Sequence, residues 1–228
     1  MAFKYESIVP WGRSYDEYVK MFDLTNDDLN KYILGCGDGP ASFNSIHTSK
    51  MKKCISIDPI YQFTKIQIEN KIRDTFNNVI GQTSDNIDKF NWNKIKNVDE
   101  LLRIRMNAMN VFLNDYENGL KENRYIYAEL PKLPFDDNEF DLVISAHFLF
   151  FYSDNLSLEF HKNSIKEMLR VANEVRIFPI VDVNSNISTH YKEINSWLTT
   201  KGISSCLEKV NYEFQKGGNT MLKIWRNK

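Results

Sequence analysis

Three glycines at alternate positions stand between an apolar run and a proline: Tyr32-Ile33-Leu34-Gly35-Cys36-Gly37-Asp38-Gly39-Pro40. The pattern reads as a strand that turns tightly into a helix, with proline in the first helical turn. A second apolar run, Cys54-Ile55-Ser56-Ile57, ends in the carboxylate of Asp58. Glycines let a ligand approach the backbone closely, and an acid at the end of the second strand suits the two hydroxyls of a ribose. Together they predict a nucleoside-bearing cofactor on an α/β sheet. A dinucleotide fingerprint runs G-x-G-x-x-G. Here the third glycine comes one residue early and Pro40 follows it, which speaks against the enzymatic alternative, an NAD-dependent or nucleotide-sugar enzyme.

The remaining chain alternates in the same way. Tyr15, Tyr18, Val19 and Phe22 at helical spacing behind Ser14 predict a short N-terminal helix, followed by a capped turn at 25–30. Strands are expected at 31–34, 53–57, 125–128, 140–145 and 175–181, with helices opening at Pro40 and spanning 157–171 and 190–201. Residues 207–214 and 220–225, on either side of Gly217-Gly218, read as a terminal antiparallel hairpin. This order predicts a doubly wound α/β sheet. The interval between the second and third strands is far longer than a βαβ crossover requires. Residues 63–80 and 98–116 are helical in pattern, so 61–123 is read as a helical insertion or lid. Residues 1–30 read as an N-terminal helical cap, and 1–228 as a single domain.

Charge narrows the partners. Lys and Arg number 29 against 30 Asp and Glu, a formal net charge of -1, which does not favour nucleic acid. Cys36, Cys54 and Cys206 form neither a disulfide framework nor a metal-binding pattern, and read as reduced thiols of a cytoplasmic protein. No apolar run approaches the ~20 residues of a membrane span, and the first six residues hold no signal-peptide core.

The run Leu34-Gly35-Cys36-Gly37-Asp38-Gly39, the acid Asp58, and Glu129-Leu130-Pro131-Lys132-Leu133-Pro134-Phe135 followed by Phe140-Asp141-Leu142-Val143-Ile144-Ser145 resemble the class I S-adenosylmethionine-dependent methyltransferases. The resemblance covers most of the chain, with the helical insertion outside the common core. It implies a Rossmann-like doubly wound sheet of seven strands, order 3-2-1-4-5-7-6, with strand seven antiparallel. It implies S-adenosylmethionine as cofactor, S-adenosylhomocysteine as product and a small-molecule acceptor. On this resemblance Gly35, Cys36 and Gly37 approach the cofactor by backbone, Asp58 with Pro59 holds the ribose, and Glu129 with Leu130 flanks the adenine. Two departures stand out. Ile33 occupies the place of the family's acid two residues before the first glycine, and Arg170-Val171-Ala172-Asn173-Glu174 replaces a Lys-Pro-Gly-Gly loop.

Displacement at a sulfonium methyl needs nucleophile, carbon and sulfur nearly in line, and an apolar, water-poor pocket suits a reaction in which charge is lost. His147-Phe148-Leu149-Phe150-Phe151-Tyr152 follows the fourth strand, at the carboxyl ends where open α/β sheets bind ligands. His147 is the candidate general base, with pocket wall as its alternative role. Phe148, Phe151 and Tyr152 are candidate acceptor contacts. Arg13, helped by Tyr18, is expected to fork onto the methionine carboxylate of the cofactor. One ring of Tyr61-Gln62-Phe63 is expected either on adenine or in helix packing. Arg103 and Arg105, beside Met106 and Met109, read as a solvated charged face, with Arg103 reaching an acidic substrate as the alternative. Asp182 faces the same rim as His147, while His47, His161 and His190 read as packing or surface residues. The non-enzymatic alternative is a cofactor-binding module without catalysis.

Overall fold

The structure, a computed structural model, describes residues 9–226. The first residues, read above for a leader, lie outside this range. Strands β1 (Ile33–Cys36), β2 (Cys54–Ile57), β3 (Tyr125–Ile126), β4 (Phe140–Ala146), β5 (Ala172–Phe178), β6 (Ser204–Lys209) and β7 (Thr220–Trp225) form one sheet, in the order β3-β2-β1-β4-β5-β7-β6. The first five pair in parallel, and β7 runs antiparallel to both β5 and β6. This is the expected topology.

Successive side chains of a strand point to opposite faces, and a parallel sheet must bury both. Leu34, Val143, Val175 and Ile177 meet the helices α5 (Leu158–Val171) and α6 (Tyr191–Thr200) through Ile165, Met168, Ile194 and Leu198. Ile33, Leu142, Ile144 and Phe178 face the other way, onto Tyr18 and Met21 of α1 (Tyr15–Met21) and Phe43 of α2 (Phe43–Ser49). Ile33 is thus a core residue with no access to a ligand. A reciprocal capping box between Ser14 and Glu17 fixes where α1 starts.

The long interval resolves into two helices with different tasks. The helix α4 (Val98–Lys121) packs on α2 and β3, and its Phe112, Leu113 and Tyr116 join Tyr61 and Tyr125 in a third apolar cluster. It does the work of a crossover helix. The helix α3 (Lys65–Asp85) is the added piece, anchored in that cluster by Ile68 and Ile72.

Three boundaries differ from expectation. Strand β3 stops at Ile126, and Ala128 and Glu129 turn out to line the site instead. Strand β5 begins directly out of α5 because Ala172 already pairs with Phe140, so no connecting loop exists there. Strand β6 begins at Ser204, and residues 210–219 leave the sheet. Phe214 is drawn away to stack on Phe90, with ring centroids 4.8 Å apart, and the Asn91 amide donates to the Phe214 carbonyl at 2.6 Å. No helix among the described residues is long and apolar enough to cross a membrane.

Candidate active site

At the carboxyl ends of β1, β2 and β4 lies a cavity of about 750 Å³, within the size range of small-molecule sites. Thr75 and Val79 of α3, together with Phe90, Phe214 and Gln215, line its outer side. The stacked Phe90–Phe214 pair therefore ties the added segment to the β6–β7 connection directly at the site.

The glycine turn is held to the end of β2 by two backbone bonds, from the amides of Gly37 and Asp38 to the Ile57 carbonyl, at 3.0 and 3.3 Å. Gly37 takes a positive φ of 68°, which glycine adopts without strain. Asp58 accepts from the Gly39 amide through Oδ2 at 2.9 Å and from the Ile60 amide through Oδ1 at 2.8 Å. Its carboxylate therefore joins the turn to the segment after β2 while still facing the cavity. Burial raises its pKa to about 6, against the pull of these two amides.

Asp38 is the residue the motif does not predict. Its side chain folds back across Gly35, where a Cβ would stand 1.8 Å from Oδ2. Gly35 is therefore required for the neighbour's carboxylate. Asp38 accepts from Tyr18 Oη at 2.9 Å and Ser56 Oγ at 2.5 Å, lines the cavity, and pairs with no cation among the described residues. Burial, with a smaller contribution from Asp58, raises its pKa to about 7. The only signal in the sequence is an acid between two glycines in a chain that lacks the acid at position 33.

A second group of ionisable side chains at the cavity is basic. Arg105 is buried, and its Nη1 donates to both oxygens of Glu17, at 2.6 and 2.5 Å. Tyr212 donates to Glu17 Oε1 at 2.8 Å. Burial pushes the Glu17 pKa up, but Arg105, then Arg13 and the Ser14 amide, outweigh it and hold Glu17 down to about 2. The expectation of a solvated face at Arg105 is thus corrected: α4 turns it inward, while Arg103 stays exposed beside Glu100. Arg13 is set in place by its own carbonyl, which accepts from the Ser42 amide at 3.0 Å, and its Nη1 donates to the Trp11 carbonyl at 2.8 Å. His147 sits in the left-handed region at φ 49°, its amide bonded to the Phe178 carbonyl at 2.6 Å, and its ring packs edge-on against Phe151 and Phe178. Burial first, then Arg13 and Arg105, push its pKa well below the usual histidine range.

Most of the expected residues meet here. Gly37, Asp58, Pro59, Glu129 and Leu130 line the cavity, as do Arg13 and Tyr18. So do His147, Phe148, Phe151 and Tyr152. Glu129 is exposed at the mouth, whereas Leu130 is buried. Gly35 and Cys36 do not line it: the wall begins at Gly37, because Gly35 lies under Asp38 and the Cys36 carbonyl is taken by Ser145 Oγ at 3.0 Å. Tyr61 is a packing residue that also clamps the turn, donating to the Gly39 carbonyl at 2.7 Å, and Phe63 is the ring at the cavity. Asp182 closes its own turn through Asn184 and Asn186, and Val183 takes the place at the wall.

No protein-family model matches the chain. The uncharacterized protein MJ0045 of Methanocaldococcus jannaschii is 37% identical over 219 residues, covering 94% of this chain and 95% of that protein. This chain belongs to the MJ0045 family. Among solved structures, magnesium protoporphyrin IX methyltransferase from Synechocystis PCC 6803 with bound SAH aligns over 93% of this chain and 81% of its own, at 10% identity and a TM-score of 0.51. A SAM-dependent methyltransferase from Aquifex aeolicus covers 92% and 87% at 15% identity and a TM-score of 0.44. The fold of the chain is that of the class I S-adenosylmethionine-dependent methyltransferases, with the seven-stranded order described above.

Proposed function

We propose that this chain transfers the methyl group of S-adenosylmethionine to a small-molecule acceptor. The observation that carries the reading is a shared cavity: the glycine turn, Asp58 and Glu129 open on it together with His147 and its aromatic neighbours, and Phe148 lies against Gly37. The acidic turn suits a donor that is itself a cation. Two carboxylates beside the turn, Asp38 and Asp58, would repel a dinucleotide pyrophosphate, which favours a site that offers amide donors or cations.

When bound, the donor supplies an electrophilic methyl on a sulfonium: the sulfur–methyl bond breaks as the acceptor–methyl bond forms, the electron pair stays on sulfur, and the acceptor gives up its proton. The chain's own residues bind, orient and keep water out. Asp58 receives the ribose hydroxyls and Glu129 with Leu130 flanks the adenine. Asp38, supported by Tyr18, stands in for the acid missing at Ile33 and takes the ammonium of the methionine moiety. Phe148, Phe151 and Tyr152 surround the acceptor. His147, whose Nδ1 is buried without a hydrogen-bond partner, is placed to accept the acceptor's proton. Calorimetry with SAM, SAH and NAD tests the donor site: SAM and SAH bind and NAD does not. A labelled-methyl screen against cell extract then tests transfer. Binding without transfer to any acceptor would leave a non-catalytic module.

A further inference from the structure

Charge does not balance in the basic group at the cavity. Arg13 and Arg105 bring two guanidinium groups, and Glu17 is the only carboxylate among the described residues that pairs with either. Glu17 is already saturated, since it accepts from Arg105, Tyr212 and the Ser14 amide. Three buried nitrogens here lack any hydrogen-bond partner: Arg13 Nε, Arg105 Nε and His147 Nδ1. All three residues line the cavity. A buried cation with unsatisfied donors is costly in the empty protein and is compensated when an anion arrives.

We propose that this corner binds a carboxylate of the methyl acceptor, so that the substrate is a small anionic molecule anchored on Arg13, with Arg105 beside it. The proposal rests on the methyltransferase reading. A planar guanidinium offers a carboxylate two parallel hydrogen bonds and therefore orients it as well as attracting it. The methionine carboxylate of the donor has the same chemistry, and is the partner expected for Arg13 from the sequence. Placement favours the acceptor. Arg13 and Arg105 both act on His147, the candidate base, and neither acts on Asp38, whose neighbours are Ser56, Tyr18 and Asp58. Tyr18 lies between Arg13 and Asp38 and is acted on by both, while Arg13, Arg105 and His147 act on one another.

The test uses the full chain saturated with SAH and measures, by calorimetry, matched pairs of acids and amides: acetate against acetamide and benzoate against benzamide. A carboxylate binds about tenfold or more tightly than its amide, as one charge-assisted contact requires. Arg13→Gln abolishes that preference while SAH affinity stays within about twofold, and Arg13→Lys restores part of it. No preference in the wild type, or a preference that survives Arg13→Gln, overturns the proposal. So does an SAH affinity about tenfold weaker in Arg13→Gln, which assigns Arg13 to the donor's own carboxylate. Melting of the ligand-free variant separates a structural role: removing an unpaired buried cation leaves the melting temperature equal or higher, and a fall counts against the proposal. If SAH fails to bind the wild type, the methyltransferase reading fails instead, and the same pairs measured on the ligand-free chain still decide the anion site.

Discussion

Asp38→Asn isolates the buried acid of the glycine turn. The residue is 6% exposed, and its side-chain hydrogen-bond partners are two neutral hydroxyls, so no cation pairs with a negative charge there in the empty site. Burial moves its pKa from 3.8 to about 7. Between those two values the folded chain holds a proton that the unfolded chain has released, so stability falls as pH rises. The limiting slope for one such group is about 1.4 kcal/mol per pH unit, which gives roughly 2 kcal/mol between pH 5 and pH 7, and it levels off above the folded pKa. Asparagine cannot ionise, so the variant loses this slope. Asp58, raised to about 6, adds a similar decline to both proteins, so all but its interaction with Asp38 cancels in the comparison. Urea denaturation of the ligand-free proteins from pH 5 to 8 measures the difference. The variant gains on the wild type by roughly 3 kcal/mol across that range. Parallel stability curves would refute the assignment of an uncompensated, buried carboxyl group. In the same variant SAH affinity falls about tenfold or more, and the proton released when the donor's ammonium ionises Asp38 disappears from calorimetry at pH 6 to 7.

Asp58→Ala removes two charge-assisted contacts to a ribose and weakens SAH binding roughly a hundredfold; unchanged affinity would end the ribose assignment. His147→Asn keeps a residue that tolerates the left-handed backbone and removes the imidazole. Single-turnover methyl transfer slows by about 10²–10⁴ if His147 takes the proton, and unchanged turnover leaves it as wall alone. Glu17→Gln strands Arg105, which is 1% exposed, and costs roughly 3–5 kcal/mol in denaturation at pH 7. In the wild type this contribution is complete above the unfolded carboxylate value of 4.5 and fades as pH falls toward about 2.

Elements built from local pattern were legible in the chain. The apolar runs of β1, β2 and β4 and the glycine turn each depend on neighbours a few residues away, and so does the acid closing β2. The resemblance then supplied the strand order. What escaped depends on distant partners. Residues 210–219 look like the end of a strand and a turn, yet Phe214 stacks on Phe90, far away in the chain. Cys36 belongs to a motif associated with ligands but is buried in the core against the α5 and α6 face.

The sequence by itself determined the architecture and the approximate place of the site, because strand periodicity, glycine geometry and the capping of helices are short-range properties. Only the tertiary structure decided the charges inside that site. Asp38 lies over Gly35 because Tyr18, 20 residues earlier, and Ser56, 18 residues later, hold its two oxygens. Arg105 points inward because its counter-charge, Glu17, lies 88 residues away on another helix. An ionisable group's role follows from what surrounds it once water is excluded, and those surroundings exist only when the chain has folded.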